Sequence, residues 1–283
     1  MSRSRPPVVA IVLAVILAGG LVALVVDAGV SAFRTANTVV SVAQQPQAQE
    51  QRFPELDDHL MVADRPMPDA ECVLPAFARD PAGLRTYYEA LTSCLGAAWR
   101  PALSAAGVSS RLPSIDITVD PGETGCGVRG EDDVFTAWYC GSDETMYLPL
   151  DRMTEWDGGR PHLHLGVVAH EYGHHVQHLS GLLDAADARV GKVGADTPQG
   201  KEISRRLELQ ANCFAGLFLG AIADHGSVTR LDTSTAVDGY RYSGAPSTHG
   251  NLAVQTRWVA LGYSKGTLSA CDTWSAPAKD VAD

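Results

Sequence analysis

Basic residues are scarce in this chain. Its 22 lysines and arginines stand against 33 aspartates and glutamates, a formal net charge of −11. Such an excess repels phosphate backbones and anionic lipid head groups, so nucleic acid is not an expected partner. No two cysteines stand as C-x-x-C, which argues against a cysteine-based zinc knuckle. No internal repeat is present, which argues against a solenoid or propeller. Charged residues make up only 19% and hydrophobic ones 45%, the mix of a folded and not a disordered chain. At 283 residues it has length for one large domain or two small ones.

What is present begins with a run of 19 residues, Val8 to Val26, without a charged or strongly polar side chain. As a helix it would be roughly 28 Å long, near the ~30 Å hydrocarbon core of a bilayer. Cleavable signals usually have a shorter apolar region of about 7–15 residues. Arg3 and Arg5 precede the run and acidic sequence follows it, which favours an inside N-terminus. The expected organisation is a cytoplasmic segment (1–7), a transmembrane signal anchor (8–26), a flexible stalk (27–55) and a catalytic domain (56–283). That domain would be extracytoplasmic on a single-pass protein of the cell membrane. Cleavage after Val30-Ser31-Ala32 is the alternative and would release a secreted form. No cysteine lies near the run, so a lipoprotein is not expected.

All six cysteines follow the apolar run. In an exported domain an even number reads as three disulfides. The sequence does not choose among the pairings. The preferred set is Cys72–Cys94, Cys126–Cys140 and Cys213–Cys271, with a buried free thiol at Cys213 as the alternative.

Leu84, Tyr87, Tyr88, Leu91, Leu95 and Ala98 recur at helical spacing, and Pro101 is expected to kink or end that helix. Short β-prone runs follow at 114–119, 135–139 and 146–150. The last of these is either a sheet edge that pairs with substrate backbone or a buried structural strand. A helix is predicted over 162–179, and another from Thr197 as cap and Pro198 at its first position towards Ile222. A final helix is predicted over 251–261, with Ser247 or Thr248 near its cap. A small sheet with long helices makes the fold class α+β.

The helix over 162–179 carries His170-Glu171-Tyr172-Gly173-His174, an H-E-x-x-H pattern. A spacing of four stacks both imidazoles on one helix face, where they can share a zinc ion, with the glutamate close enough to take a proton from its water. Leu163, Val167, His170 and His174 form one stripe, so the histidines continue the apolar face. Gly173 costs about 1 kcal/mol of helix propensity relative to alanine, which points to close approach by another element.

Catalytic zinc generally takes three protein ligands and leaves a position for water. A continuation as H-x-x-G-x-x-H is excluded by Gln177 and Ser180. His178 shares a straight helix with the first two histidines and cannot complete a tetrahedron without a bend. Glu208, on the stripe Glu208, Asn212, Ala215, Leu219 of the next long helix, is preferred.

Two segments, Ala169-His170-Glu171-Tyr172-Gly173-His174-His175-Val176-Gln177 and Glu208-Leu209-Gln210-Ala211-Asn212-Cys213-Phe214-Ala215-Gly216, resemble the neutral zinc metallopeptidases of bacteria, a gluzincin-like family. Weaker similarities lie at Trp138-Tyr139-Cys140 with Met146-Tyr147-Leu148, and at His249-Gly250 followed by Gln255, Arg257, Trp258 and Gly262. The resemblance implies a zincin-like fold holding one zinc ion (Zn2+) on His170, His174 and Glu208. It also implies a partner for the first histidine at position 212. The family usually has aspartate there, whereas Asn212 can accept a hydrogen bond only without charge.

The implied reaction is hydrolysis of a peptide or protein substrate, with zinc acidifying a water and Glu171 carrying its proton to the leaving amine. His249, Tyr240, Tyr242 and Arg257 are candidates for stabilising the oxyanion, His249 being chosen as the catalytic partner. His162, His164, His175, His178 and His225 read as surface or packing residues. The rival reading is a catalytically weak zinc-binding relative acting as an envelope interaction module. A zinc amidase acting on cell-wall peptides would share the site.

Overall fold

The computed structural model describes Leu56 and residues 63–119, 121–128, 137–157, 160–242 and 246–282. The apolar run and almost all of the expected stalk lie outside these. Among the described residues no helix is long and apolar enough to cross a membrane.

The fold is α+β, mostly helical with a small sheet. Helix α1 (Pro81–Ala105) starts at Asp80, whose side chain accepts from the Gly83 amide at 3.0 Å. It runs past Pro101, so of the two expected effects, a kink or an end, the proline does not end the helix. Ala98, Trp99, Ala102 and Leu103 stay buried through the interruption, and that burial outweighs the one backbone bond a proline removes.

Strands β1 (Ser114–Asp116), β4 (Trp138–Cys140) and β5 (Thr145–Tyr147) form one sheet in the order β1-β5-β4, and a hairpin, β2 (Glu123–Thr124) with β3 (Gly127–Val128), stands apart from it. β5 pairs parallel with β1 and antiparallel with β4, and its three residues are buried. Of the two readings of the 146–150 run, the edge strand is therefore the wrong one. Its backbone groups face neighbours on both sides.

After α2 (Leu150–Asp157) come α3 (Pro161–Leu179), α4 (Leu182–Val193) and α5 (Pro198–Ala221). α3 carries the H-E-x-x-H pattern. α5 begins as predicted, with Thr197 Oγ1 accepting from the Gly200 amide at 3.0 Å. Helices α6 (Arg230–Gly239) and α7 (Leu252–Lys265) complete the set. α7 is capped by Asn251, whose side chain accepts from the Val254 amide at 3.0 Å, and not by Ser247 or Thr248. Those two residues sit in a separate turn of helix, Pro246–His249.

α5 is the central helix, touching α3, α4, α6 and α7. Its contact with α7 depends on a reciprocal pair of glycines. A Cβ at Gly216 would stand 2.1 Å from the Val259 carbonyl oxygen, and one at Gly262 2.1 Å from that of Cys213. The preferred disulfides are all formed: Cys72–Cys94, Cys126–Cys140 and Cys213–Cys271, the last tying α5 to the segment after α7.

Candidate metal centre

Helix α3 presents His170 and His174 one turn apart, with their Nε2 atoms 3.2 Å from each other. α5 brings Glu208 against them, its Oε2 3.2 Å from His170 Nε2 and 3.3 Å from His174 Nε2. The helices come this close because position 173 has no side chain: a Cβ there would lie 3.1 Å from the Ala211 carbonyl oxygen. The close approach expected from Gly173 is therefore present. His249, from the turn before α7, sets its Nε2 3.2 Å from the same Glu208 oxygen. Its ring stacks on that of His170 at 6.4 Å between centroids.

These residues fit a metal ion. A tetrahedral zinc with donors at ~2.0–2.1 Å holds them about 3.3–3.4 Å apart, and the triangle of His170, His174 and Glu208 has sides of 3.2, 3.2 and 3.3 Å. Glu208 Oε2 is buried and accepts no hydrogen bond despite three imidazole nitrogens around it. His170, Glu208 and His249 likewise offer donor atoms within 4.8 Å of one another. A buried carboxylate oxygen ringed by imidazole nitrogens has the chemistry of a site where a cation can take the place of their protons.

Electrostatics agree. Burial pushes the Glu208 carboxyl up, but His249 and His174 more than reverse this and hold it well below the usual carboxylate range. Burial pulls His174 down, and the Glu208 carboxylate overrides it, lifting the imidazole to about 9. His249 is raised through the same contest between burial and Glu208. Glu171 is buried beside them, and burial raises its pKa against the opposing pull of His170 and His174. A carboxylate raised in this way suits a proton carrier.

The surroundings fix the imidazoles unequally. His174 Nδ1 donates to Gln177 Oε1 at 2.8 Å. His170 Nδ1 and Asn212 Nδ2 are both buried without a hydrogen-bond partner, so the contact expected between Asn212 and His170 is not formed. The turn carrying His249 is held by Arg205 of α5, which donates to the Ser247 carbonyl at 3.0 Å and to that of Val281 at 3.1 Å. Gln255 donates to the Gly250 carbonyl at 2.7 Å from the other side. Sequence reasoning assigned no role at the centre to Gln177, Arg205 or Gln255. For Gln177 the available signal was its place three residues after His174 on one helix.

The remaining candidates lie elsewhere. The Tyr240 hydroxyl donates to the Gly166 carbonyl at 2.9 Å in a buried setting. Arg257 pairs with Asp280 at 2.7 Å on the surface, and the side chain of Tyr242 is outside the described residues. His178 turns towards Glu144 and Asp184, and not to the cluster. His175 is a packing residue: it accepts from the Tyr139 hydroxyl at 2.9 Å and donates to the Arg111 carbonyl at 2.8 Å. Burial lowers it to about 4. His164 is buried against the Tyr88 hydroxyl at 2.7 Å, and His225 lies at the surface near Asp69.

A helix pair that converges two histidines and a glutamate on one point offers the donor set of a metal site. Residues 96–274 match the family described as "Putative neutral zinc metallopeptidase", and the chain belongs to that family. Among curated proteins it is similar to the uncharacterized proteins Rv2575 of Mycobacterium tuberculosis and Mb2605 of Mycobacterium bovis. Each is 32% identical over 182 residues, 54% of this chain and 59% of the relative. It is also similar to the uncharacterized protein YpfJ of Escherichia coli, 27% identical over 196 residues, 62% of this chain and 66% of that protein. The chain thus spans about 59% of the length of its mycobacterial relatives. No solved structure matches it.

Proposed function

We propose that this protein is a zinc-dependent peptidase in which His170, His174 and Glu208 hold one zinc ion and Glu171 is the general base. The observation that carries this reading is the near-equilateral triangle of donor atoms with a buried carboxylate of raised pKa next to it. When bound, zinc supplies Lewis acidity to the attacking water and to the scissile carbonyl. Glu171 takes the proton of that water and delivers it to the leaving amine, which requires a carboxylate that is ionised at rest but a willing acid once loaded. His249 would donate a hydrogen bond to the reacting carbonyl oxygen, its turn clamped by Arg205 and Gln255.

Metal analysis of the purified domain, coupled to a peptide-library digest, tests the reading. One zinc per chain and cleavage that Glu171→Gln abolishes without loss of zinc are expected. Equal cleavage by both proteins sinks the enzyme assignment. The missing acceptor at His170 Nδ1 favours one rival, a weakly active zinc-binding relative that serves as an envelope interaction module. Zinc binding without detectable cleavage would select it.

The same proposal puts the domain outside the cytoplasm, anchored through residues 8–26. Its support is the length of that apolar run and three disulfides, which belong to an oxidising compartment. Digestion by added protease in intact spheroplasts tests the placement; a fully protected domain contradicts it.

A further inference from the structure

We infer that Gln177 is the positioning residue of this centre: its amide selects the metal-binding tautomer of His174 and sets the register between α3 and α5. The inference rests on the proposed zinc site and adds to it a residue that touches neither metal nor substrate.

Gln177 is fully buried, and both ends of its amide are engaged. The Nε2 group donates to the Leu207 carbonyl at 2.9 Å and to Gln210 Oε1 at 3.0 Å. A backbone carbonyl can only accept, so the NH2 end must face Leu207 and the oxygen must face His174 Nδ1, 2.8 Å away. A hydrogen bond to that oxygen requires the proton on Nδ1. The lone pair of neutral His174 is thereby left on Nε2, the atom that points at Glu208. Leu207 is the residue before Glu208, so one side chain fixes the tautomer of one donor and the backbone next to another. Gly173 lies one turn before Gln177 and lets the helices approach; Gln177 then determines how they are aligned. Gln210 is itself held from the other side, donating to the Cys271 carbonyl at 3.2 Å beside the Cys213–Cys271 disulfide. His170 has no such arrangement, since its Nδ1 is buried without a partner. The two histidines therefore divide into a fixed and a free one.

The test uses the whole protein and Gln177→Met, which keeps the shape and removes both polar ends, with Gln210→Met for comparison. Gln210→Met deletes a buried amide of the same network but leaves the His174–Gln177 bond. Zinc dissociation constants, measured by chelator competition, should rise about 10–100-fold for Q177M and stay within about threefold of wild type for Q210M. Melting of the metal-free proteins reports how far each change is merely structural. Equal zinc affinities for wild type and Q177M, or equal losses in both variants, overturn the inference. Nitrogen-15 histidine NMR of zinc-loaded wild type needs no variant to fold. The His174 Nδ1 proton should exchange slowly with solvent and that of His170 faster; the reverse order also overturns it. Failure of wild type to bind zinc through these histidines would instead sink the metal site itself, a distinguishable result.

Discussion

His249 Nε2 rests 3.2 Å from Glu208 Oε2, the oxygen that also meets His170 and His174. One carboxylate oxygen therefore gathers three imidazoles from one helix and a turn. Contact geometry alone allows His249 either to hold the ion or to act on substrate. The proposal assigns it the second task, and the two have separable signatures. In His249→Ala, kcat should fall about 10²–10³-fold, as for loss of an oxyanion donor, with zinc stoichiometry retained. Loss of zinc in that variant would make His249 a ligand.

Zinc must compete with protons. Metal-free His174 titrates at about 9 because Glu208 overcomes its burial, so at neutral pH it carries a proton that the ion has to displace. A raised histidine pKa stabilises the metal-free fold fully below the unfolded value of ~6.5, and this contribution disappears as pH climbs through about 9. Metal binding follows the opposite course. Between pH 7 and 9 zinc affinity should increase by about tenfold per unit for each proton displaced. Competition titrations showing a flat profile over that range would contradict the pairing of Glu208 with His174.

The glycines at the α5–α7 crossing make a stability prediction. A methyl at either Gly216 or Gly262 meets a backbone carbonyl at 2.1 Å, and backbone cannot swing aside as a side chain can. Gly216→Ala and Gly262→Ala should each destabilise the domain by about 1–3 kcal/mol, despite a helix-propensity gain of about 1 kcal/mol. Denaturant unfolding measures this, and a stabilised variant would show that the helices are not so closely packed.

The disulfide between Cys213 and Cys271 closes a separation of 58 residues. Replacing both cysteines by alanine should cost roughly 4 kcal/mol on the loop-entropy argument. Gln210 bonds the Cys271 carbonyl but the His174–Gln177 bond does not depend on it, so zinc affinity in the double variant should stay within about threefold of wild type. A zinc affinity that falls along with the melting temperature would show that the tail acts on the centre.

Local signals carried most of the site. His170, Glu171 and His174 were legible because helical spacing alone stacks them, and Thr197 with Pro198 marked where α5 begins. Glu208 followed from its stripe and from the arithmetic of zinc ligation. The disulfide pairing was a preference that the structure bears out. What stayed hidden depends on neighbours distant in the chain. Strand order is one case: the run 146–150 reads as β-prone, but the central position of the strand Thr145–Tyr147 depends on pairing with 114–116. Continuation of α1 through Pro101 is another, since burial of Ala102 and Leu103 is not a local property. Gln177 entered the sequence reading as the end of the family-like segment and as the residue that spoiled a longer motif, with no role of its own. Its place three residues after His174 is a local signal, but its bonds to Leu207 and Gln210, about thirty residues away, depend on how the helices pack.

Arg205 grips the Ser247 carbonyl with one nitrogen and that of Val281 with another. A change that displaces the backbone at Val281 would thus pull on the guanidinium that steadies the turn of His249, and so be felt at Glu208 from a distance.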